Sequence, residues 1–183
     1  FNLFNQLGGT PNAGGSWTGP LGAHSATFDP ATDQSGPYTY TVLGLAPCAN
    51  ATAVVNVTVI TAPDAGTGGS TTVCGNDAPF DLFTLVGGTP DGTGSWTGPG
   101  GGGVSNMFTP GTSAAGDYVY TVAGTAPCAN AQSTVSVTVI APPNPGTNGT
   151  ITLCSNAASV DLFTLLGGSP QSGGAWTRPN GTA

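Results

Sequence analysis

The sequence has no lysine, no glutamate and a single arginine, Arg178, against eight aspartates, which leaves a formal net charge of −7. Neutralising a nucleic-acid backbone takes several Lys or Arg side chains, so no nucleic-acid partner is expected. His24 is the only histidine. General acid–base chemistry draws on His, Glu or Lys with a tuned pKa, and with that supply so thin no enzyme and no cofactor are expected. No apolar run approaches the roughly 18 residues of a membrane-spanning helix, and no basic, apolar, small-residue leader opens the chain. No membrane insertion is expected of this segment, and a start at Phe1 reads as a mature or excised piece of something longer.

What the sequence does hold is 31 glycines and 16 prolines in 183 residues, with abundant Thr and Val. Such a Gly and Pro content approaches that of disordered chains. Here, however, it is patterned. Leu3-Phe4-Asn5-Gln6-Leu7-Gly8-Gly9-Thr10-Pro11 returns as Leu82-Phe83-Thr84-Leu85-Val86-Gly87-Gly88-Thr89-Pro90, and again as Leu162-Phe163-Thr164-Leu165-Leu166-Gly167-Gly168-Ser169-Pro170. Trp17, Trp96 and Trp176 keep these steps of 79 and 80 positions, and Phe28, Tyr38, Tyr40, Cys48 and Cys74 recur 80 positions on as Phe108, Tyr118, Tyr120, Cys128 and Cys154. A period this long fits a small autonomous domain and not a solenoid unit. The Pro- and Gly-rich stretches 62–69 and 141–147 read as linkers. The expected organisation is an incomplete repeat at 1–62 lacking its first strand, a complete repeat at 64–141, and the N-terminal part of a third at 144–183.

Within the complete repeat, strands are expected at Thr71–Val73, Phe80–Val86, Gly94–Thr97 and Asn106–Thr109. The period of two in Tyr118, Tyr120, Val122 and in Val135, Val137, Val139 marks two longer ones with one buried face. Six or seven short strands in about 75 residues imply an all-β fold of tandem immunoglobulin-like Greek-key sandwiches.

In such a sandwich the hairpin between the last two strands returns to the end where the chain comes in. Cys74 is read at that end and Cys128 in the hairpin loop, so a Cys74–Cys128 disulfide is expected, contributing about 3 to 4 kcal/mol. Pairing Cys48 with Cys74 would fold an extended linker back on itself, which an extended array forbids. By the same rule Cys48 and Cys154 pair outside this window. Paired cysteines fit an oxidising, extracellular place. Metal binding by the thiols is the rival reading, without a CxxC pair or a neighbouring His to support it.

The three Trp residues recur in Gly-Ser-Trp-Thr-Gly-Pro, twice, and Gly-Ala-Trp-Thr-Arg-Pro. They are read as core residues, with stacking on a sugar ring as the alternative. The four Tyr are likewise packing residues, their hydroxyls available to a loop. Asp29 and Asp33 are read as turn residues, with calcium as the alternative. Their counterparts are Thr109 and Ser113. Asp81 and Asp161, with Asn2 in the first copy, anchor a loop or hold an ion. His24, which has no repeated counterpart, is read as a loop residue. Triplets of the glycosylation type begin at Asn50, Asn56, Asn148 and Asn180, at a frequency that chance explains in so Asn- and Thr-rich a chain. The glycine run 100–103 lacks the Lys-Ser/Thr of a phosphate loop.

Taken together, Asp81–Asp91, Gly94–Pro99, Phe28–Asp33, Gly116–Val122 and Ala126–Asn130 resemble the immunoglobulin-like, PKD-like repeats of very large Bacteroidota surface proteins. These include gliding-motility adhesins exported by the type IX secretion system. The resemblance covers essentially the whole chain and implies a β-sandwich stalk or adhesive filament at the cell surface, active in attachment or gliding, with neighbouring repeats of the same chain as its partners. It supplies no catalytic, cofactor or metal-binding residues. Two other readings stay open. One is a homo-oligomeric filament built by strand complementation, although residues 1–24 duplicate the content of 160–183 instead of completing it. The other is a carbohydrate-binding module that takes surface polysaccharide on exposed Trp.

Overall fold

The structure is a computed structural model and describes residues 1–178. It is mostly β, and its only helical elements among the described residues are three short 3₁₀ turns. Contacts divide the chain into two compact units, the first made of Phe1–Pro63 with Gly124–Asn130, the second of Asp64–Ala123 and the residues from Ala131 onward.

In the first unit the strands are β1 (Ser16–Gly19), β2 (Gly22–His24), β3 (Gly36–Val42) and β4 (Ala51–Val57), in one antiparallel sheet of order β2-β1-β3-β4. The second unit holds β5 (Gly69–Cys74), β6 (Phe80–Asp81), β7 (Ser95–Thr97), β8 (Gly103–Val104), β9 (Met107–Phe108), β10 (Gly116–Val122) and β11 (Ala131–Ile140). Its main sheet runs β5-β11-β10-β7-β8, and β6 pairs with β9 separately. All these pairings are antiparallel except β5 with β11, which is parallel from Gly69 opposite Val135 to Cys74 opposite Ile140.

The apolar stretch Phe80–Val86 is a strand only over its first two residues. Leu82–Leu85 is a 3₁₀ turn because the Asp81 carboxylate accepts the Phe83 N–H at 2.8 Å and fixes the chain in a bend. The turn drives Leu82 fully into the core. Asn2 and Asp161 cap Leu3–Gln6 and Leu162–Leu165 in the same way, with Leu3 fully buried and Leu162 51% exposed.

Alternation in β10 buries Tyr118, Tyr120 and Val122, and in β11 it buries Ser133, Val135 and Val137. These pack with Leu82, Trp96 and Phe108. The first unit repeats the cluster with Leu3, Trp17, Phe28, Tyr38 and Tyr40. One difference stands out between the last strands. Val135 and Val137 are 0% and 2% exposed, whereas their counterparts Val55 and Val57 are only half-buried. β11 is flanked on both sides, by β10 and β5, while β4 has β3 as its one ladder neighbour among the described residues. The same lack explains why β4 stops at Val57. Thr138, Val139 and Ile140 are held in β11 by β5 alone, since the β10 register ends at Val137, and their counterparts Thr58, Val59 and Ile60 are not strand.

Candidate functional site

The chemistry-bearing side chains concentrate around the repeated aromatic centre. In the second unit the Trp96 and Tyr120 rings lie 5.0 Å apart at 41°, and Phe83 meets Tyr120 edge-on at 5.3 Å. In the first, Trp17 and Tyr40 are 5.0 Å apart at 40°, with Phe4 edge-on at 5.4 Å. Each tyrosine hydroxyl pins a loop over this centre. Tyr120 accepts the Gly94 N–H at 2.8 Å and donates to the Asp91 carbonyl; Tyr40 accepts from Gly15 at 2.7 Å and donates to Asn12 at 2.8 Å. The Gly before Ser-Trp is required by this close approach. A Cβ on Gly94 would lie 2.4 Å from the Tyr120 ring, and one on Gly15 would lie 2.6 Å from that of Tyr40.

Trp17 and Trp96 are each 6% exposed, so their faces serve the core and offer no platform to a sugar, while Trp176 is 51% exposed. A shallow cleft borders the aromatic centre in each unit, rimmed by Asn2, Phe4 and Trp17 in the first and by Asp81, Phe83 and Trp96 in the second. In the third copy a cavity of about 520 Å³ lies beside Phe163, Leu166 and Trp176. The cleft of the first unit also takes in Ser16, His24 and Ser25.

The first unit carries one polar cluster that the second lacks. His24 ends β2 opposite Trp17 and so is a strand residue, not a loop residue. Its Nε2 lies 3.2 Å from the Asp33 carboxylate, and its Nδ1 faces the Ser25 carbonyl at 2.7 Å. The Asp29 N–H donates to Asp33 at 2.7 Å, and this bond, followed by the one from His24, holds the Asp33 carboxyl below its usual range. The cluster closes a turn. In the second unit Ser113 closes the equivalent turn by accepting the Thr109 N–H at 3.0 Å. Among the described residues no group of three His, Cys or Asp side chains converges as metal ligands would. Burial raises the Tyr118 pKa, and burial followed by the Asp33 charge raises that of Tyr38.

No cysteine is joined to another in the structure, and the expected partners Cys74 and Cys128 are half-buried while Cys48 and Cys154 are exposed. The register gives the reason. Because β5 is parallel to β11, Cys74 sits opposite Ile140 at the far end of β11, while Cys128 precedes Ala131 at its start. Those ends are nine ladder steps apart, about 30 Å, against the roughly 6 Å between Cα atoms of a disulfide. Placing Cys74 at the end where the chain comes in overlooked that β5 carries it across the sheet. Cys128 instead donates to the Ile60 carbonyl at 3.4 Å within the first unit. Its loop is closed by Asn130, whose side chain accepts the Gly124 N–H at 3.0 Å, as Asn50 does for Gly44. The triplet at Asn50 is thus partly engaged in loop closure, Asn56 lies in β4, and the triplet at Asn180 falls outside the described residues. No protein-family model matches the chain, and no curated protein matches it.

Proposed function

We propose that the chain is a segment of tandem immunoglobulin-like Greek-key β-sandwich repeats that serves as a load-bearing stalk or adhesive spacer in a long extracellular surface protein. The supporting observation is the parallel pairing of β5 with β11. The second unit begins its sheet at Gly69 and leaves it at Ile140, which lie at opposite ends of this strand pair. Tension along the chain therefore loads all six rungs in shear at once instead of peeling them one after another. The same aromatic centre, built twice from residues 79 or 80 positions apart, supports a repeated mechanical part over a unique active site. A near absence of cations and a skin of Thr, Ser and Gly suit a chain that extends outward without adhering through charge. Antibodies raised against the purified chain are expected to label intact, unpermeabilised cells of the source; label appearing only after permeabilisation would overturn the surface assignment.

A further inference from the structure

We propose that Cys128 is one half of a recurring disulfide whose other half is the cysteine ending the first strand of the preceding repeat. Cys74 and Cys128 are 54 positions apart and the period is 80, so the bonded cysteines lie 134 positions apart. The inference rests on the repeat and on two observed contacts, and does not depend on the stalk reading.

Two kinds of cysteine converge on one isoleucine of the fold. Cys74 stands opposite Ile140 at the end of the β5–β11 ladder, and the Gly75 N–H donates to the Ile140 carbonyl at 2.8 Å. Ile140 repeats Ile60 at 80 positions. The Cys128 thiol donates to the Ile60 carbonyl at 3.4 Å, within the first unit, to which Gly124–Asn130 belongs. The strand cysteine and the hairpin cysteine therefore reach the same place in the fold, but on different copies of it.

Carrying the β5 register back by one period brings the two together. A cysteine that stands to Ile60 as Cys74 stands to Ile140 is one strand spacing, about 4.8 Å, from Ile60, where the Cys128 sulfur already lies. That is the range in which a disulfide closes. Phe1 is the counterpart of Phe80, so this partner falls six positions ahead of Phe1. Side-chain direction agrees. Val73 packs on the second core, so by alternation Cys74 points to the outer face of the sheet, where a loop can meet it. A bond between successive copies also requires both members to recur at the full period. They do, Cys48 as Cys128 and Cys74 as Cys154, whereas His24, Asp29 and Asp33 do not.

The bond needs a disulfide oxidant, for which oxidised glutathione serves. The strand-cysteine thiolate attacks it and expels one glutathione thiolate; the Cys128 thiolate then attacks the mixed disulfide at the protein sulfur and expels the second. Two protein thiols lose two protons and two electrons, and one oxidised glutathione becomes two reduced ones.

The test fuses a copy of Asp64–Pro79 ahead of Phe1 of the full chain, as Asp64–Pro79 precedes Phe80. After oxidised glutathione and iodoacetamide, peptide mass spectrometry without reduction should find the added cysteine bonded to Cys128 of the same chain and Cys128 alkylation lost. Cys128→Ser, or serine in place of the added cysteine, should abolish the bond. Without the extension, Cys128 should stay open to alkylation and join no cysteine of its own chain. Hydrogen exchange on the extended chain with serine at the added position should show the extension protected, which separates docking from bonding. A bond from the added cysteine to Cys48, the hairpin cysteine of its own repeat, would overturn the proposal. So would a Cys74–Cys128 bond, the absence of any bond within the extended chain, or an extension left unprotected.

Discussion

Replacing Tyr120 with Phe deletes one oxygen atom and leaves the ring packing in place. The ring is 2% exposed, and the lost hydroxyl serves two backbone groups, the Gly94 N–H and the Asp91 carbonyl. Asp91 is exposed, so its carbonyl turns to water at little cost. Gly94 is half-buried with its N–H aimed at the ring edge, and that donor is left without a partner. A buried group stranded in this way costs about 1–3 kcal/mol, and partial access to water places the expected loss at about 1–2 kcal/mol. For a domain of this size that lowers the unfolding midpoint by roughly 5–10 °C. Scanning calorimetry of the full chain, with urea unfolding followed by Trp emission, reads the change. Tyr40→Phe should produce a loss of the same size in the first unit, since Tyr40 bridges Gly15 and Asn12 alike. A midpoint unmoved in both variants would refute the idea that these hydroxyls pin the loops.

Gly94→Ala should destabilise by about 1–3 kcal/mol, because the added methyl meets both the Tyr120 ring and the Thr121 carbonyl, and this outweighs the usual gain of about 0.4–1 kcal/mol from a stiffer unfolded chain. Leu82→Ala and Leu3→Ala, at positions with no exposed surface, should each cost about 2–5 kcal/mol in urea titrations. Tyr38 and Tyr118 hold their protons more tightly when folded than the ordinary value of 10.0. The unfolded chain therefore ionises first, and stability should decline as pH rises beyond that value and keep declining until the folded-state pKa values are passed. Acrylamide should quench Trp176 strongly while sparing Trp17 and Trp96, which single-Trp variants resolve; equal quenching of all three would contradict the burial of the first two.

The long strands were legible because Tyr-x-Tyr-x-Val and Val-x-Val-x-Val state a period of two and a buried face. The core role of Trp17 and Trp96 followed from the same repeat, which also placed the tyrosine hydroxyls near loops. Other features were hidden for physical reasons. Leu82–Leu85 reads as an apolar run, and only the side-chain bond from Asp81 to the backbone makes it a turn. β8 is two residues inside a glycine run and exists through its pairing with Trp96 and Thr97. Alternation tells which face of a strand is buried but not which neighbour it takes or in which direction. That is why Thr71–Val73 was found as a strand while its parallel partner, and with it the true place of Cys74, was not. The role of Asn130 lies in a six-residue reach to Gly124 that no periodicity encodes.

Pulling single molecules of the chain by its two ends tests the mechanical claim most directly. Shear loading of the β5–β11 pair predicts that residues 64–141 give way in one abrupt step, releasing roughly 25 nm of chain at about 3.3–3.6 Å per residue. A smooth, featureless extension at low force, with no step of that length, would contradict it.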